Sequence, residues 1–249
     1  MKRSQLYDLY DWMNIGSPVW RQVRSAIVAE IAAGEFPPGT PLPAEKLLAE
    51  RFGCAIGTIR RATDGLVTEG VLTRQQGRGT FVAGHSPERS FRFFHLRGAD
   101  GQAELPQTEF LDFEARRANA EHAQALRVAT GASLLRARHL QHLAGRPAML
   151  EKLWLPAELF PGLDGPRFSG RAGTVYDLYQ REFGISVTRI DEQLRAAPIP
   201  ARVAARLGLK PGEPALFIQR IAFAVDGKPV ELRQAWADTR ELAYFNSRA

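Results

Sequence analysis

The chain has 249 residues, enough for one large domain or two smaller ones, each with its own core. Hydrophobic residues make up 45% and charged residues 24%, a globular balance that excludes wholesale disorder. A net charge of +6 and a sequence pI near 9.8 favour an anionic partner such as nucleic acid, a phosphate or a carboxylate.

Residues 1–16 are an aromatic and acidic lead-in around Leu6, Tyr7, Tyr10 and Trp12, read as a short helix or a frayed end. They run through Asp8, Tyr10 and Asp11 instead of an apolar secretory core, and nowhere does an apolar run reach the ~18 residues of a membrane span. A cytoplasmic protein without a membrane partner is expected. The lone Cys54 excludes an internal disulfide framework and any multi-cysteine zinc site, and it suits a reducing compartment.

The first helix is expected to start with Ser17 as N-cap and Pro18 at the first helical position, where the missing N–H costs nothing. Val19, Val23, Ala26, Ile27 and Ile31 give it one apolar stripe, and Gly34 ends it. After the turn Phe36-Pro37-Pro38-Gly39, a second helix opens at Pro43-Ala44-Glu45 and runs to Phe52, with Gly53 as its stop. The spacing of Ala49, Gly53 and Ile59 fits a helix-turn-helix. A small residue lets the helices approach, a glycine takes the left-handed turn, and an apolar residue anchors the next helix, with Leu48, Phe52, Ala62 and Leu66 as further core contacts. The other face of that helix carries Thr58, Arg60 and Arg61, suited to phosphates and base edges.

Beyond Gly70, Val71-Leu72-Thr73-Arg74 and Gly79-Thr80-Phe81-Val82 read as two strands joined at Gln75-Gln76-Gly77-Arg78. This is a hairpin wing with Arg78 at its tip, or by itself a plain solvated turn. The polar stretch 84–91 reads as a linker.

Three strings carry a family resemblance: Leu42-Pro43-Ala44-Glu45-Lys46-Leu47-Leu48-Ala49, Thr58-Ile59-Arg60-Arg61-Ala62 and Gly77-Arg78-Gly79-Thr80-Phe81-Val82. Segment 17–83 resembles the winged helix-turn-helix of the GntR family of regulators. The resemblance implies operator contacts at Lys46, Thr58, Arg60, Arg61, Gly77, Arg78, Gly79 and Thr80. The chain departs from the family at Cys54-Ala55-Ile56-Gly57, where relatives carry a hydroxyl residue followed by an arginine. The hydroxyl cap is lost at Ala55. Ile56 replaces a group whose bidentate guanine contact is worth roughly 1–3 kcal/mol, so a different operator sequence or a lower affinity is expected.

The remainder, 92–249, reads as strands and hairpins with a few helices, and it contains a repeat. Residues 126–131, Arg138, Gly145-Arg146-Pro147 and Trp154 match 207–212, Arg220, Gly227-Lys228-Pro229 and Trp236. Each copy reads helix, turn, strand, hairpin, strand, which predicts one antiparallel sheet with helices against one face. Between the copies, Thr174-Val175-Tyr176-Asp177-Leu178-Tyr179 opens a helix that Gly184 ends. Arg136 and Arg138 share one strand face, Arg220 sits among apolar residues, and Glu151, Glu231 and Arg233 fall on the return strands. Such charges lie either on a solvated face or along a polar pocket. Arginines recurring in both copies favour an anion, because the guanidinium fork suits carboxylate and phosphate oxygens.

Together with Ala204-Ala205-Arg206-Leu207-Gly208-Leu209, Gly227-Lys228-Pro229-Val230-Glu231 and Tyr244, this arrangement resembles the UTRA effector-binding domain of the HutC-like branch. The resemblance implies an α+β fold related to chorismate lyase. It also implies effector contacts at Arg136, Arg138, Glu151, Thr174, Arg220, Glu231 and Arg233. The all-helical, metal-binding branch fits badly, since His139 and His142 fall on a strand with opposite facing; no metal or cofactor is expected. No Gly-x-Ser-x-Gly elbow, paired metal-ligand motif or Walker loop marks an enzyme, though an enzyme tethered to a DNA-binding module and a ligand-free architectural DNA binder stay open. The expected protein is a homodimeric repressor. It would bind a pseudo-palindromic double-stranded operator under control of a small anionic metabolite.

Overall fold

The computed structural model describes residues 17–84, 94–98 and 104–245; the lead-in at 1–16 and most of the linker at 84–91 lie outside the described residues. The chain divides into two compact units at Gly84.

The first unit runs α1 (Val19–Ala32), α2 (Glu45–Phe52), α3 (Ile56–Thr68), β1 (Leu72–Gln75) and β2 (Gly79–Val82). Helix α1 starts one residue later than its sequence suggests. Pro18 occupies the cap position with extended ψ, and no side chain caps the helix. Its buried stripe is Val23, Ile27, Val28 and Ile31, while Val19 is exposed. These side chains share a core with Leu48 and Ala49 of α2 and with Ile59, Ala62 and Leu66 of α3. Between α2 and α3, Gly53 adopts φ +60° and donates its N–H back to the last turn of α2. A β-carbon at that backbone angle is strained, which is why glycine stands there.

Strands β1 and β2 pair antiparallel from Leu72↔Val82 to Gln75↔Gly79. The hairpin is tied back to the segment before α2, where Leu42 N–H donates to Thr80 O (2.8 Å) and Val82 N–H to Thr40 O (2.9 Å).

The second unit is built on a six-stranded antiparallel sheet of order β4-β5-β6-β9-β8-β7, with β3 (Leu96–Gly98) and β10 (Leu242–Tyr244) pairing separately. The strands are β4 (Gln107–Arg117), β5 (Ser133–Leu143), β6 (Arg146–Pro156), β7 (Val187–Pro198), β8 (Pro214–Ala224) and β9 (Pro229–Ala237). Helix α4 (Ala120–Leu126) links β4 to β5, and α7 (Ala201–Leu207) links β7 to β8. The chain thus makes the same four-element unit twice. The two copies meet where β6 pairs β9, with Lys152 opposite its own repeat equivalent Gln234.

Helices α4 and α7 both pack on one face, α4 against Leu134 and Leu232, α7 against Leu140 and Leu150. The helix between the copies, α6 (Val175–Phe183), takes the opposite face with α5 (Gly165–Ser169). There Tyr176, Leu178 and Tyr179 join Ala137, Leu153, Leu155 and Ala222. Helices therefore cover both faces and not one. An inserted helix capped at Thr174 and reversed at Gly184 has only the uncovered face left to bury its apolar side. Asn119 and Asp164 cap α4 and α5, accepting from the His122 and Arg167 N–H groups.

Helix α3, like α1, α2 and α7, starts without a side-chain cap: Ala55 holds its cap position and supplies no side-chain acceptor. Ala55→Ser is expected to stabilise the first unit by about 1 kcal/mol, the usual worth of a hydroxyl cap. Denaturation read by amide exchange on α3 measures this. No gain would mean that the free N–H groups are already satisfied.

Candidate functional site

In the first unit, the exposed cations gather on α2, α3 and the hairpin. Lys46 is exposed on the first turn of α2. Arg60 on α3 is largely exposed, and its Nε donates to Glu45 Oε2 at 2.6 Å, so a carboxylate on α2 aims the guanidinium. Arg61 points elsewhere and stacks over Trp20 of α1 at 4.8 Å. Thr58 is half-buried, its N–H held by Ala55 O (2.9 Å). At the hairpin tip Gly77 and Gly79 adopt φ of +72° and +111°, which presents Arg78, 5.7 Å over the Phe81 ring, to solvent. Thr80, opposite Arg74 and one pair in from the tip, is half-buried.

In the second unit, the α6 face of the sheet carries a buried polar set. Arg233 lies between two carboxylates. Its Nε and Nη2 donate to Glu231 (2.8 and 3.1 Å) and its Nη1 to Glu151 Oε1 (3.0 Å). Tyr179 and Tyr176 of α6 donate their hydroxyls to Glu231 at 2.7 and 3.3 Å, and Gln141 Nε2 donates to Glu151 at 2.7 Å. One strand further out, Arg220 donates to Glu192 (2.7 Å), which also accepts from Tyr244. Burial pushes the Glu151 carboxyl up, but Arg233 and its other neighbours outweigh that and hold it below the usual carboxylate range. Burial, reinforced by Glu231, pushes the Tyr176 hydroxyl up to about 12. Arg233 is held well above its ordinary value, its carboxylate partners outweighing burial.

Beside this set, His139 and Arg171 flank Phe168. The imidazole stacks on the ring at 5.2 Å and the guanidinium lies 5.0 Å from its centre. Both ring nitrogens of His139 and Nε of Arg171 are buried and make no hydrogen bond among the described residues. Burial drives the His139 pKa down to about 3 and lowers that of Arg171 as well. A buried donor without a partner costs roughly 1–3 kcal/mol, so polar groups in this state mark a place that a ligand can complete.

The sheet sorts the sequence-predicted residues into two groups. Glu151, Arg220, Glu231 and Arg233 converge on the α6 face. Thr174 caps α6, its Oγ1 accepting from Asp177 N–H at 3.2 Å. A β-carbon at the preceding Gly173 would sit 2.4 Å from Asp177 Oδ2, so a larger residue there would have to displace that carboxylate. Arg136 and Arg138 lie on the opposite face, bonded to Asp112 of β4, with Glu114 also pairing Arg136. They do not join the others. His139, Gln141, Arg171, Tyr176 and Tyr179 were missed by sequence reasoning. The period of two along β5 was the available signal, since residues alternating with Arg136 and Arg138 must face the other way.

A cleft of about 860 Å³ lies elsewhere, beside Leu96, Arg97, Leu143, Arg146, Leu207 and Arg240. At its surface Arg146 pairs with Glu241 and Arg240 with Asp238, Arg97 Nε is buried without a hydrogen-bond partner among the described residues, and no predicted effector residue lines it. The α6-face set is the more deeply buried of the two, and desolvated polar groups discriminate ligands better than solvated pairs.

A helix-turn-helix with exposed cations on its second helix and hairpin, followed by a separate α+β unit with a buried polar set, defines a transcriptional regulator of the winged-helix class. Residues 20–82 match the bacterial regulatory proteins of the gntR family, and residues 101–241 match the UTRA domain. The chain belongs to the GntR family, in its UTRA-bearing, HutC- and NagR-like branch. SmoD, an HTH-type transcriptional regulator of Agrobacterium fabrum (strain C58 / ATCC 33970), is 28% identical over 92% of this chain and 95% of its own length. The HTH-type transcriptional repressor NagR of Bacillus subtilis (strain 168) is also 28% identical, over 86% of this chain and 88% of its own. Among solved structures, the ligand-binding domain of a Bordetella bronchiseptica protein assigned to the GntR-family regulators is similar. It is 30% identical with a TM-score of 0.58, covering 62% of this chain and 96% of that one. PhnF of Mycobacterium smegmatis shares the fold at 24% identity and a TM-score of 0.52, over 90% of this chain and 98% of its own. The family, SmoD and NagR are transcriptional regulators, not enzymes. Among the described residues no helix is long and apolar enough to cross a membrane.

The neutral His139 makes stability pH-dependent. Its folded pKa of about 3 lies below the ordinary 6.5, so between those values the unfolded chain takes up a proton that the fold refuses. Stability is complete above about 6.5 and falls as the pH drops, by at most about 1.4 kcal/mol per pH unit from this group. His139→Gln is expected to flatten the stability profile between pH 6.5 and 4.5, measured by urea denaturation; an unchanged slope would refute a buried neutral imidazole.

Proposed function

We propose that this chain is a repressor whose operator affinity is set by a small anionic metabolite bound on the α6 face of the second unit. The observation that carries the proposal is the pair His139 and Arg171, buried against Phe168 with polar atoms that lack partners, beside the Glu151–Arg233–Glu231 set. Arg171 is a buried cation with no direct carboxylate pair among the described residues, and it lies just before the amino end of α6, where backbone N–H groups favour an anion. In this reading Arg171 and Thr174 take the anionic group. Glu151, Glu231 and Arg233, with Gln141, His139 and Arg220, take the polar remainder of the ligand. Arg136 and Arg138 stay outside it, neutralised by Asp112 and Glu114.

Lys46, Arg60 and Arg78, with Thr58, Gly77, Gly79 and Thr80, make the operator surface, and phosphate contacts give it a steep salt dependence. Arg61 contributes from its place over Trp20. Two chains, joined through their second units, set two α3 helices in successive major grooves about 34 Å apart on a pseudo-palindromic site. Segment 84–91 links the units. Operator and effector affinities are linked, so an inducer binds the DNA-bound form more weakly by the same factor. Repression accords with the printed name of the Bacillus subtilis relative.

Two variants test the division of labour. Arg60→Ala is expected to lower affinity for duplexes selected from a random pool at least ten-fold, consistent with a contact worth about 1–3 kcal/mol. Thermal stabilisation by a panel of phosphorylated and carboxylated metabolites should be retained. Arg171→Ala is expected to do the reverse. A variant that loses both properties without losing its fold, or an Arg171→Ala protein stabilised like the wild type, would overturn the assignment.

A further inference from the structure

The exposed positions at the start of α3, residues 55–57, carry no polar side chain. Ala55 stands at its cap, Ile56 is its first residue and Gly57 its second. Thr58, the first residue with a polar atom, is half-buried. Ile56 is 41% exposed, a large apolar side chain held in water at the head of a helix. Gly57 is a second feature of this turn, one it shares with Gly65 further along the helix. Its backbone is ordinary helix and a β-carbon added to it would meet nothing, so the fold does not require glycine. Glycine in a helix lowers stability relative to alanine. A residue that weakens the helix and that no internal contact demands leaves room for something outside the chain.

The geometry of a helix-turn-helix names what lies outside. The N-terminal residues of its second helix meet base edges in the major groove. The one apolar group displayed there is the thymine C5-methyl; the other edge groups are hydrogen-bond donors and acceptors that Ile56 cannot satisfy. The exposed cations Lys46 and Arg60 flank this turn in sequence and suit the phosphates that orient the helix.

We infer that Ile56 reads a thymine methyl group, and that Gly57 lets the backbone of α3 come close enough to the base pair for the contact to form. This rests on the operator-binding reading above. It deepens that reading by assigning base specificity at one position per half-site to an apolar contact.

The test uses the full-length chain and a pool of random DNA duplexes, from which bound sequences are recovered at fixed salt. Each thymine of the recovered motif is then replaced singly by deoxyuridine, which removes only the methyl. At one thymine per half-site the wild type is expected to bind about four-fold more weakly, the effect of one buried methyl. Ile56→Ala should bind the thymine duplex more weakly by a similar factor and be indifferent to that replacement. Gly57→Ala should melt at a higher temperature and yet bind less tightly. A recovered motif insensitive to every uridine, or a sensitivity that survives in Ile56→Ala, would overturn the methyl contact while operator binding stands. Unchanged affinity in Gly57→Ala would overturn the close approach. Recovery of no shared sequence would overturn both this inference and the operator reading.

Discussion

The pairing of β6 with β9 is the constraint on which the second unit depends. It joins the two repeat copies at the centre of the sheet and sets Glu151, Glu231 and Arg233 together beneath α6. None of these groups could be buried alone: an isolated charge in the interior costs several kcal/mol even after relaxation. Their mutual pairing, with Tyr176, Tyr179 and Gln141 filling the remaining acceptor positions of the carboxylates, makes the burial tolerable. It also ties a helix from between the copies to strands from both. The polar set is therefore a joint of the fold as well as a place for recognition. Apolar residues would stabilise the joint at least as well, so the sequence keeps charge there at some cost in stability.

The two faces of the sheet divide this work. On the α4 and α7 face, Arg136 and Arg138 are neutralised by Asp112 and Glu114 in partly solvated pairs that contribute little. On the α6 face the charges are buried and each hydrogen bond is strengthened by its surroundings. The alternation of a strand assigns neighbouring residues to these two environments. Arg138 and His139 are adjacent in sequence, yet one reaches water and the other stacks on Phe168.

That alternation also explains what could be read from the sequence. The helix-turn-helix was legible because its demands are local: Ala49 for close approach, Gly53 for a left-handed turn, Ile59 for the anchor. The repeat was legible because equal spacing of Arg138 and Arg220, and of Trp154 and Trp236, needs no three-dimensional knowledge. The site was legible only in part. Glu151, Arg220, Glu231 and Arg233 stand out as charges in apolar strands, but whether Arg136 shares their face depends on strand register. His139 and Arg171 were hidden for a different reason. Each is ordinary in sequence and becomes informative only when Phe168, from a separate helix, buries its polar atoms. Thr174 was read as a ligand contact from resemblance, whereas its hydroxyl serves first as a helix cap. The coverage of both sheet faces was likewise a matter of where the inserted helix must go, which no single segment declares.

The first unit shows the complementary pattern, in which local rules are broken and not hidden. Elsewhere Asn119, Asp164 and Thr174 cap their helices and Gly53, Gly184 and Gly208 end theirs in the left-handed conformation, while α1, α2 and α7 start without a side-chain cap. At the start of α3, three consecutive positions depart from what stability alone would choose. Ala55 supplies no cap, Ile56 exposes an apolar surface, and Gly57 loosens a turn that has room for a side chain. Departures of this kind concentrate where a surface is shaped for a partner and not for the fold. In the operator reading proposed above, the start of α3 faces the bases, and these departures fall there.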